Sequence, residues 1–345
     1  METRLASMED IRALSRDKPD VSRAQIDALL EKHGFSASGS IQPLEGNFTN
    51  LTLDVETRTH GRIFLKIQFR RSRGFSLKTE FIAVRALQAV DCVPVSGSLL
   101  FDGDGEPLPF ECLLIPQEPG EPGIGFYRGA SRSMRLRLGA LLGETLARVH
   151  SLTCPEVLRT ESTRDLASWN TTVRDALFGD AALVSSIEAT LPGLWDRLLA
   201  VLDTAPEVRL TGRNVFLWGE PGLHNVLVEN GGSLRIANVH DFQSAGWGTQ
   251  LRDLQQVEGE TLARPDSDCY EPGYVEAFRS SYLAAIGKPL VPLSPDEEKL
   301  LEIVKNIRVI RFFWDCGRLL HPRTPDFLRA AMSNLERLHD AIAEG

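Results

Sequence analysis

Glu220 and Asn225, an acid and an amide five positions apart, lie in the stretch WGEPGLHN. Asp241 follows at the end of a β-rich run, and Asp253 comes later in RDL. This spacing is typical of phosphoryl-transfer loops, where the carboxylate faces a substrate hydroxyl and the amide turns towards a metal. Mg²⁺ prefers hard oxygen ligands and commonly takes only one or two of them from protein. We therefore predict Glu220 as the catalytic base, and Asn225 and Asp241 as metal ligands.

Residues that could contact nucleotide phosphates lie upstream of this loop. Lys66 occurs in the apolar strand pattern RIFLKIQF, and Glu80 lies on a predicted helix, where it could pair with Lys66. The loop PLEGNFTN is placed for phosphates, although Gly46 is its only glycine. Taken singly, a strand lysine is more often a solvent-reaching side chain and a helix glutamate an ordinary surface residue. Their order along the chain favours the nucleotide-binding role.

The elements that must position these residues can be read from periodicity. LTLDVET and RIFLKIQF flank the turn RTHGR, which favours an antiparallel hairpin, and LKTEFIAVRALQAV has the apolar spacing of a helix. Ser22 and Gln25 predict a capping box that opens an earlier helix. VPVSGSLLFDGDGEPLPFECLLIP contains two more short strand candidates around the turn DGDGEP. After QEPGEPGIG the chain favours helices, including SWNTTVRDALF, apart from a β-rich stretch over 214–242.

The same patterns divide the chain into three segments. Residues 1–20 predict a loosely held N-terminal arm, because they show no strong periodicity. Residues 21–116 predict a small β-rich N-lobe with one important helix, on the nucleotide-phosphate side. Residues 117–345 predict a mainly helical C-lobe with the catalytic loop, metal site and acceptor pocket. The division falls at QEPGEPGIG, the best linker pattern in the sequence.

Composition excludes several classes of protein. The hydrophobic share is 42% and the charged share 25%, as in globular proteins, and the net charge of −9 disfavours non-specific binding to nucleic acid or anionic lipid. Five scattered cysteines without a C-x-x-C spacing argue against a disulfide framework or zinc site and favour a cytoplasmic protein. No run approaches the roughly 18 apolar residues of a membrane span. We therefore expect neither a nucleic-acid nor a membrane partner.

The ordered set of motifs resembles the aminoglycoside phosphotransferase family of protein-kinase-like small-molecule kinases. The matching segments are GNFTN, FLKI, KTEF, VPVSGSLL, LARVHSL, WGEPGLHN, HDFQ and RDL. The resemblance implies an α+β, bilobal fold, with a small antiparallel-sheet N-lobe plus one key helix and a larger, mainly helical C-lobe. It also implies ATP or GTP, Mg²⁺, and an acceptor hydroxyl on a small polar molecule. A cationic, aminoglycoside-like antibiotic is the leading acceptor.

The resemblance assigns further residues to the nucleotide and the catalytic loop. Asn50 ends the GNFTN motif and is implied in nucleotide binding with Gly46. The hinge that contacts the base falls near Gln117, since Pro116 has no N–H to donate. Asp253 is expected to brace the catalytic loop by accepting hydrogen bonds from its backbone N–H groups.

Two departures from the family pattern leave an alternative open. Trp218 stands where the family has His, and Glu220 stands where it has the catalytic Asp. Glu220 keeps the charge but is one methylene longer, and a misplacement of about 1 Å can cost about 10²-fold in rate. The alternative is a nucleotide-binding pseudokinase without phosphotransfer.

An acidic cluster could bind a cationic acceptor, although a solvated face is the better interpretation: Asp266, Asp268, Glu271 and Glu276.

Overall fold

A five-stranded antiparallel sheet forms the N-lobe in the computed structural model of the chain. The structure describes residues 4–44, 48–58, 60–72, 75–97, 99–162, 177, 179–204, 214–259, 267, 269–287 and 295–343. The strand order is β1-β2-β3-β5-β4, with every neighbouring pair antiparallel. The strands are β1 (Ala37–Leu44), β2 (Asn50–Thr57), β3 (Gly61–Gln68), β4 (Leu100–Asp102) and β5 (Glu111–Pro116).

Alternation along β3 decides which face of the sheet carries Lys66. Ile63, Leu65 and Ile67 are buried in one cluster with residues of α2 (Arg23–Lys32), which begins at the predicted Ser22 capping box. Because successive side chains of a strand point to opposite faces, Lys66 lies on the other face, towards the C-lobe. The predicted hairpin is present, with β2 and β3 paired along their whole length.

The predicted helix is α3 (Leu77–Gln88), which covers the face of the sheet that bears Lys66. Ser76 caps its first turn by accepting from the Lys78 and Thr79 N–H groups. Leu77, Val84 and Leu87 are buried against the sheet, and their spacing turns Glu80 inward as well. The Ser76 N–H also donates to the Gln243 carbonyl at 3.0 Å, so the start of α3 is tied to the C-lobe.

The N-terminal arm differs from the loosely held segment predicted above. It forms α1 (Met8–Arg16), opened by a Ser7–Asp10 capping box, with Ile11 and Leu14 buried. The Ala6 N–H donates to the Leu320 carbonyl at 2.7 Å, and Arg70 donates to the Leu14 carbonyl at 2.9 Å. Only nine residues long, this helix depends on its tertiary contacts, which local periodicity does not reveal.

The C-lobe is mainly helical, and two of its helices form the support for the catalytic loop. The helices α5 (Arg132–Ser151) and α10 (Tyr274–Ile286) approach so closely that a Cβ atom on Gly143 would lie 2.2 Å from the Phe278 carbonyl. The remaining helices are α4 (Gly123–Gly129), α6 (Glu156–Ser162), α7 (Ala181–Thr190), α8 (Pro192–Thr204), α9 (Gln250–Glu258), α11 (Pro295–Gly317) and α12 (Thr324–Ala343).

Five short strands cross the base of the cleft between the lobes. They are β6 (Glu121–Pro122), β7 (Asn214–Leu217), β8 (Val226–Asn230), β9 (Leu234–Val239) and β10 (Gly246–Thr249). The hairpin β8–β9 carries the predicted metal ligands at its open end, and β7 leads into the catalytic loop. The α+β, bilobal prediction is confirmed, whereas most of SWNTTVRDALF lies outside the described residues. Within the described ranges, no helix is long and apolar enough to cross a membrane.

Candidate active site

Lys66 and Glu80 form an ion pair at the roof of the cleft. The Lys66 Nζ donates to both carboxylate oxygens of Glu80, at 2.8 and 2.9 Å. The Glu80 side chain is 1% exposed and that of Lys66 13% exposed, so the pair is shielded from water. Strand β3 supplies the ammonium and the first turn of α3 supplies the carboxylate, as their positions in the sequence predicted.

The electrostatics of this pair are dominated by burial and by mutual attraction. Burial lowers the pKa of Lys66, but the charges of Glu80 and Asp241 outweigh it and hold that pKa above its ordinary value. Burial raises the pKa of Glu80, and the Lys66 ammonium opposes that effect. We assign an ionised Glu80, because both of its oxygens accept hydrogen bonds from one ammonium. Lys66 is therefore a fixed positive charge.

Asp241 belongs to the same cluster although it comes from the C-lobe. Its Oδ1 lies 3.8 Å from Lys66 Nζ, and its backbone N–H donates to Glu80 Oε1 at 3.2 Å. Its φ of +63° lies in the left-handed region, which is uncommon for residues other than glycine and recurs at functional sites. The strained backbone turns the carboxylate into the cleft immediately after β9.

A hydrogen-bond chain from the N-lobe orients the Asp241 carboxylate. Asn50 Nδ2 donates to Gln243 Oε1 at 3.0 Å, and Gln243 Nε2 donates to Asp241 Oδ1 at 2.7 Å. Asn50 is 2% exposed. The amide nitrogen of Asn50 thus positions Asp241, and the expected contact of Asn50 with a nucleotide stays a prediction.

The catalytic loop follows β7 and has a backbone that requires glycine beside Glu220. Gly219 has a φ of +97°, and a Cβ atom there would lie 2.4 Å from the Ser244 carbonyl. Trp218, which departs from the family pattern, is fully buried, stacks on Phe242 and donates from Nε1 to the His240 carbonyl at 3.0 Å. The indole thus joins the loop to β9, and the substitution keeps the loop in place.

Asp253 braces the loop from the first turn of α9. Its buried carboxylate accepts from the Trp218 N–H at 2.8 Å and from the Gly219 N–H at 3.1 Å. His150 Nε2 lies 3.2 Å from the same carboxylate, and His150 Nδ1 lies 2.8 Å from the Tyr282 hydroxyl. Because a carboxylate only accepts, His150 Nε2 donates to Asp253. The position of Glu220 therefore depends on α5, α9 and α10 together.

Asn225 and Asp241 present the oxygen atoms that a magnesium ion would need. Asn225 Nδ2 donates to the Glu220 carbonyl at 2.9 Å, and the Asn225 carbonyl accepts from the His240 N–H at 3.1 Å. These bonds place Asn225 beside the end of β9. Among the described residues, no group donates to Asn225 Oδ1 or Asp241 Oδ2, so both remain available. This donor set fits Mg²⁺, which takes few protein ligands and completes its shell with phosphates and water.

Glu220 is partly buried and lies within the field of the same cluster. Burial and the charge of Asp241 raise its pKa to about 7, against the opposing effects of His224, Arg252 and Arg308. The charge of Glu220 also raises the pKa of Lys66. The Lys66 ammonium therefore lies near three carboxylates, those of Glu80, Asp241 and Glu220. A carboxylate with a pKa near 7 is suited to accept a proton at neutral pH.

The remaining predicted residues have separate outcomes. Gly46 lies outside the described residues. The Gln117 N–H donates to the Arg62 carbonyl at 3.0 Å, so a nucleotide contact from Gln117 would use its carbonyl or side chain and stays a prediction. In the acidic cluster, Glu271 accepts from Arg132 at 3.0 Å, whereas Asp266 and Asp268 lie outside the described residues.

A comparison with protein-family profiles matches residues 40–289 to a phosphotransferase enzyme family. The match spans both lobes and every motif described above. The chain belongs to this phosphotransferase family. A search of curated proteins found no match for this family member.

Solved structures of phosphotransferases share the fold of this family member. The aminoglycoside phosphotransferase APH(2'')-Ib matches with a TM-score of 0.59 at 11% identity, covering 92% of this chain and 99% of its own. The macrolide 2'-phosphotransferase MphH from Brachybacterium faecium gives 0.52 at 20%, covering 90% and 98%. The choline kinase from Cryptosporidium parvum gives 0.53 at 11%, covering 98% and 97%. At these identities the likeness concerns the fold alone.

Sequence reasoning missed the residues that join the two lobes of this family member. Gln243 links Asn50 to Asp241, yet a single glutamine after HDF carries no chemical signal of its own. His150, the histidine of LARVHSL, has a structural role through its bonds to Asp253 and Tyr282. Correlated substitutions at these distant positions among related sequences would be the signal that reveals such contacts.

Proposed function

We propose that this family member transfers the γ-phosphoryl group of ATP or GTP to a hydroxyl of a small polar molecule. The observation that carries the proposal is the meeting of Lys66, Glu80, Asp241 and Glu220 at one cleft, although they come from four elements. We also propose that the lobes divide between Pro116 and Gln117, with the nucleotide bound between them.

In this proposal, the nucleotide phosphates are held by the roof of the cleft. Lys66 donates to the α- and β-phosphate oxygens, and Glu80 fixes the ammonium for that contact. Asn225 and Asp241 would hold Mg²⁺. When bound, the ion neutralises phosphate charge. The chain Asn50–Gln243–Asp241 keeps one Asp241 oxygen occupied, which leaves the other directed to the ion.

Glu220 has the role of general base. The acceptor oxygen forms a bond to the γ-phosphorus while the bond from that phosphorus to the bridging oxygen breaks, and a nucleoside diphosphate leaves. The hydroxyl proton goes to the Glu220 carboxylate. Its pKa of about 7 lets it be ionised at neutral pH and still bind the proton.

A pseudokinase is the second candidate function, favoured by the substitutions at Trp218 and Glu220. The contacts of these residues favour turnover instead. Trp218 is held through both its backbone and its indole, and the Gly219 backbone retains its brace to Asp253. The pKa of Glu220 is raised towards neutrality, as a general base requires.

The test measures nucleotide binding and transfer separately. Thermal stabilisation by ATP and by GTP, with and without Mg²⁺, is compared with ³²P transfer to a panel of hydroxyl compounds in wild type, Glu220→Ala, Glu220→Asp and Asp241→Ala. The proposal expects Mg²⁺-dependent stabilisation that Asp241→Ala weakens, and transfer that Glu220→Ala abolishes. A pseudokinase is identified if nucleotide stabilises the protein, no acceptor is phosphorylated, and Glu220→Ala leaves the stabilisation unchanged. Stabilisation unchanged in Asp241→Ala contradicts both functions.

A further inference from the structure

Three basic side chains of the C-lobe lie near Glu220. His224 is exposed on the turn between Glu220 and Asn225, Arg252 lies in the first turn of α9, and Arg308 lies on α11. Each is close enough to lower the pKa of Glu220. The side of the catalytic loop formed by α9 and α11 is therefore positively charged, in a chain whose net charge is −9.

Arg252 is held at the catalytic loop by its neighbour in the sequence. Asp253 accepts from the Trp218 and Gly219 N–H groups, which ties the start of α9 to the two residues before Glu220. Arg252 is partly buried, and it forms no hydrogen bond or ion pair with a described residue. Burial lowers its pKa, against the opposing effects of Asp253 and Glu220. A guanidinium withdrawn from water without a hydrogen-bonded partner is costly, so the site is suited to an anionic ligand.

Arg308 lies on a face of α11 that also contacts the N-lobe. Phe312 is four residues later on α11, so the two side chains share one face of the helix. The Phe312 ring lies 6.1 Å from that of Phe48, which follows the loop predicted to contact phosphates, and 5.5 Å from that of Phe75. This face of α11 therefore contacts the N-lobe through Phe312 and approaches Glu220 of the catalytic loop through Arg308.

We propose that the acceptor carries a carboxylate that binds Arg252 and Arg308 while one of its hydroxyls faces Glu220. This inference rests on the proposed phosphotransfer. Arginine presents N–H groups in a planar fork that matches a carboxylate, so the pair would fix the orientation of the acceptor as well as attract it. A polycationic aminoglycoside would meet these guanidinium groups with like charge. The acceptor is thus an anionic hydroxy compound.

The experiment uses three ligands that share a pyranose ring and differ in charge: glucuronate, glucose and glucosamine. Binding of each is measured by calorimetry with the Mg²⁺-nucleotide complex that stabilises the protein, and ³²P transfer is measured in parallel. The proteins are wild type, Arg252→Gln, Arg252→Lys, Arg308→Gln and Arg329→Gln. Arg329 is the matched control, because it lies exposed on α12 in an ion pair with Asp326.

The expected result is a preference of about tenfold or more for glucuronate over glucosamine, equivalent to about 1.4 kcal/mol. Arg252→Gln and Arg308→Gln reduce this preference, while Arg252→Lys and Arg329→Gln retain it. Equal binding, preference for glucosamine, binding of none of the three, or a preference unchanged in both glutamine variants overturns the inference. Absence of nucleotide stabilisation would instead refute the phosphotransfer, so the two failures are distinguishable.

Discussion

Two clusters of charged side chains join elements that are distant in the sequence, and they differ in charge balance. The cleft cluster consists of Lys66, Glu80 and Asp241. The helix cluster consists of Asp180, Arg311, Asp315 and Arg318. The cleft cluster has two carboxylates for one ammonium among the described residues, and the nearby Glu220 is accompanied by Arg252 and Arg308. Counted over the described residues, the helix cluster has two carboxylates for two guanidinium groups.

Within the part of the chain that the structure describes, the acidic and basic groups of the helix cluster pair with one another. Asp180 caps α7 by accepting from the Ala182 and Leu183 N–H groups, and it accepts from Arg318 at 2.6 Å and from Trp314 Nε1 at 3.1 Å. Burial raises the pKa of Asp180, but these hydrogen bonds outweigh it and lower the pKa to about 2. Such a cluster ties α7 to α11 and needs no ligand.

The cleft cluster is incomplete, because surplus negative charge in a shielded place is unfavourable until a cation compensates it. Asp241 raises the pKa of Glu80 and of Glu220 through like-charge repulsion. The comparison teaches that charge imbalance, rather than burial of charge, distinguishes the candidate active site from a structural cluster. Four predictions test it, in order of decreasing effect.

The largest effect is expected from Asp241→Asn. This change removes one charge, keeps a side chain that Gln243 can donate to, and suits a φ of +63°, since Asn tolerates the left-handed region. Phosphotransfer should fall by about 10³-fold, while the melting temperature of metal-free protein should not fall, because repulsion with Glu80 is relieved. Activity assays and thermal melts in EDTA measure both. A lower melting temperature would show that the surplus charge is structural.

Glu80→Gln should lower phosphotransfer by about 10²-fold, because Lys66 loses the partner that fixes its ammonium against Asp241. Single-turnover transfer rates measure the loss. Glu56→Gln, on the exposed side of β2, is the matched control and should leave the rate unchanged. Equal rates in the two variants would contradict the role of the pair.

Asp180→Asn should lower the free energy of unfolding by about 2 kcal/mol at pH 7, less than the full equivalent of the pKa shift because Arg318 is exposed and screened by water. The folded pKa of about 2 lies below the ordinary value of 3.8. The stabilisation is therefore present above about pH 4 and is lost as the pH falls towards 2. Urea unfolding at pH 7 and pH 3, with Asp326→Asn as the exposed control, measures this. A variant as stable as wild type at pH 7 would contradict the assignment.

Glu220→Gln should have the smallest effect on the free energy of unfolding, with a pH dependence opposite to that of Asp180→Asn. The pKa of Glu220 is about 7 in the folded protein, above its ordinary value of 4.5. Protonation of Glu220 therefore stabilises the wild-type protein fully below about pH 4.5, and this stabilisation is lost as the pH rises through 7. Relative to wild type, the variant should gain about 1 kcal/mol between pH 5 and pH 8 in metal-free protein. Melts across this range measure the gain, and Glu276→Gln, exposed on α10, should show none. A flat difference would refute the raised pKa.

The sequence by itself determined the elements and the order of the chemical groups. Strand alternation placed Lys66 opposite the buried side chains of β3, and the helical pattern placed Glu80 in the first turn of α3. Both follow from local backbone geometry, with a side-chain period of two in a strand and about 3.6 in a helix. The spacing from Glu220 to Asn225 is likewise local.

Only the tertiary structure decided which distant residues complete the cleft. Asn50 and Gln243, 193 positions apart, meet across the lobes, and Arg252 and Arg308 reach Glu220 from separate helices. The arm also becomes ordered through distant partners rather than its own pattern. The physical reason is that charge and hydrogen bonding act between neighbours in space, while periodicity records only neighbours along the chain. The charge around Glu220, and hence the class of acceptor, is therefore a property of the folded protein.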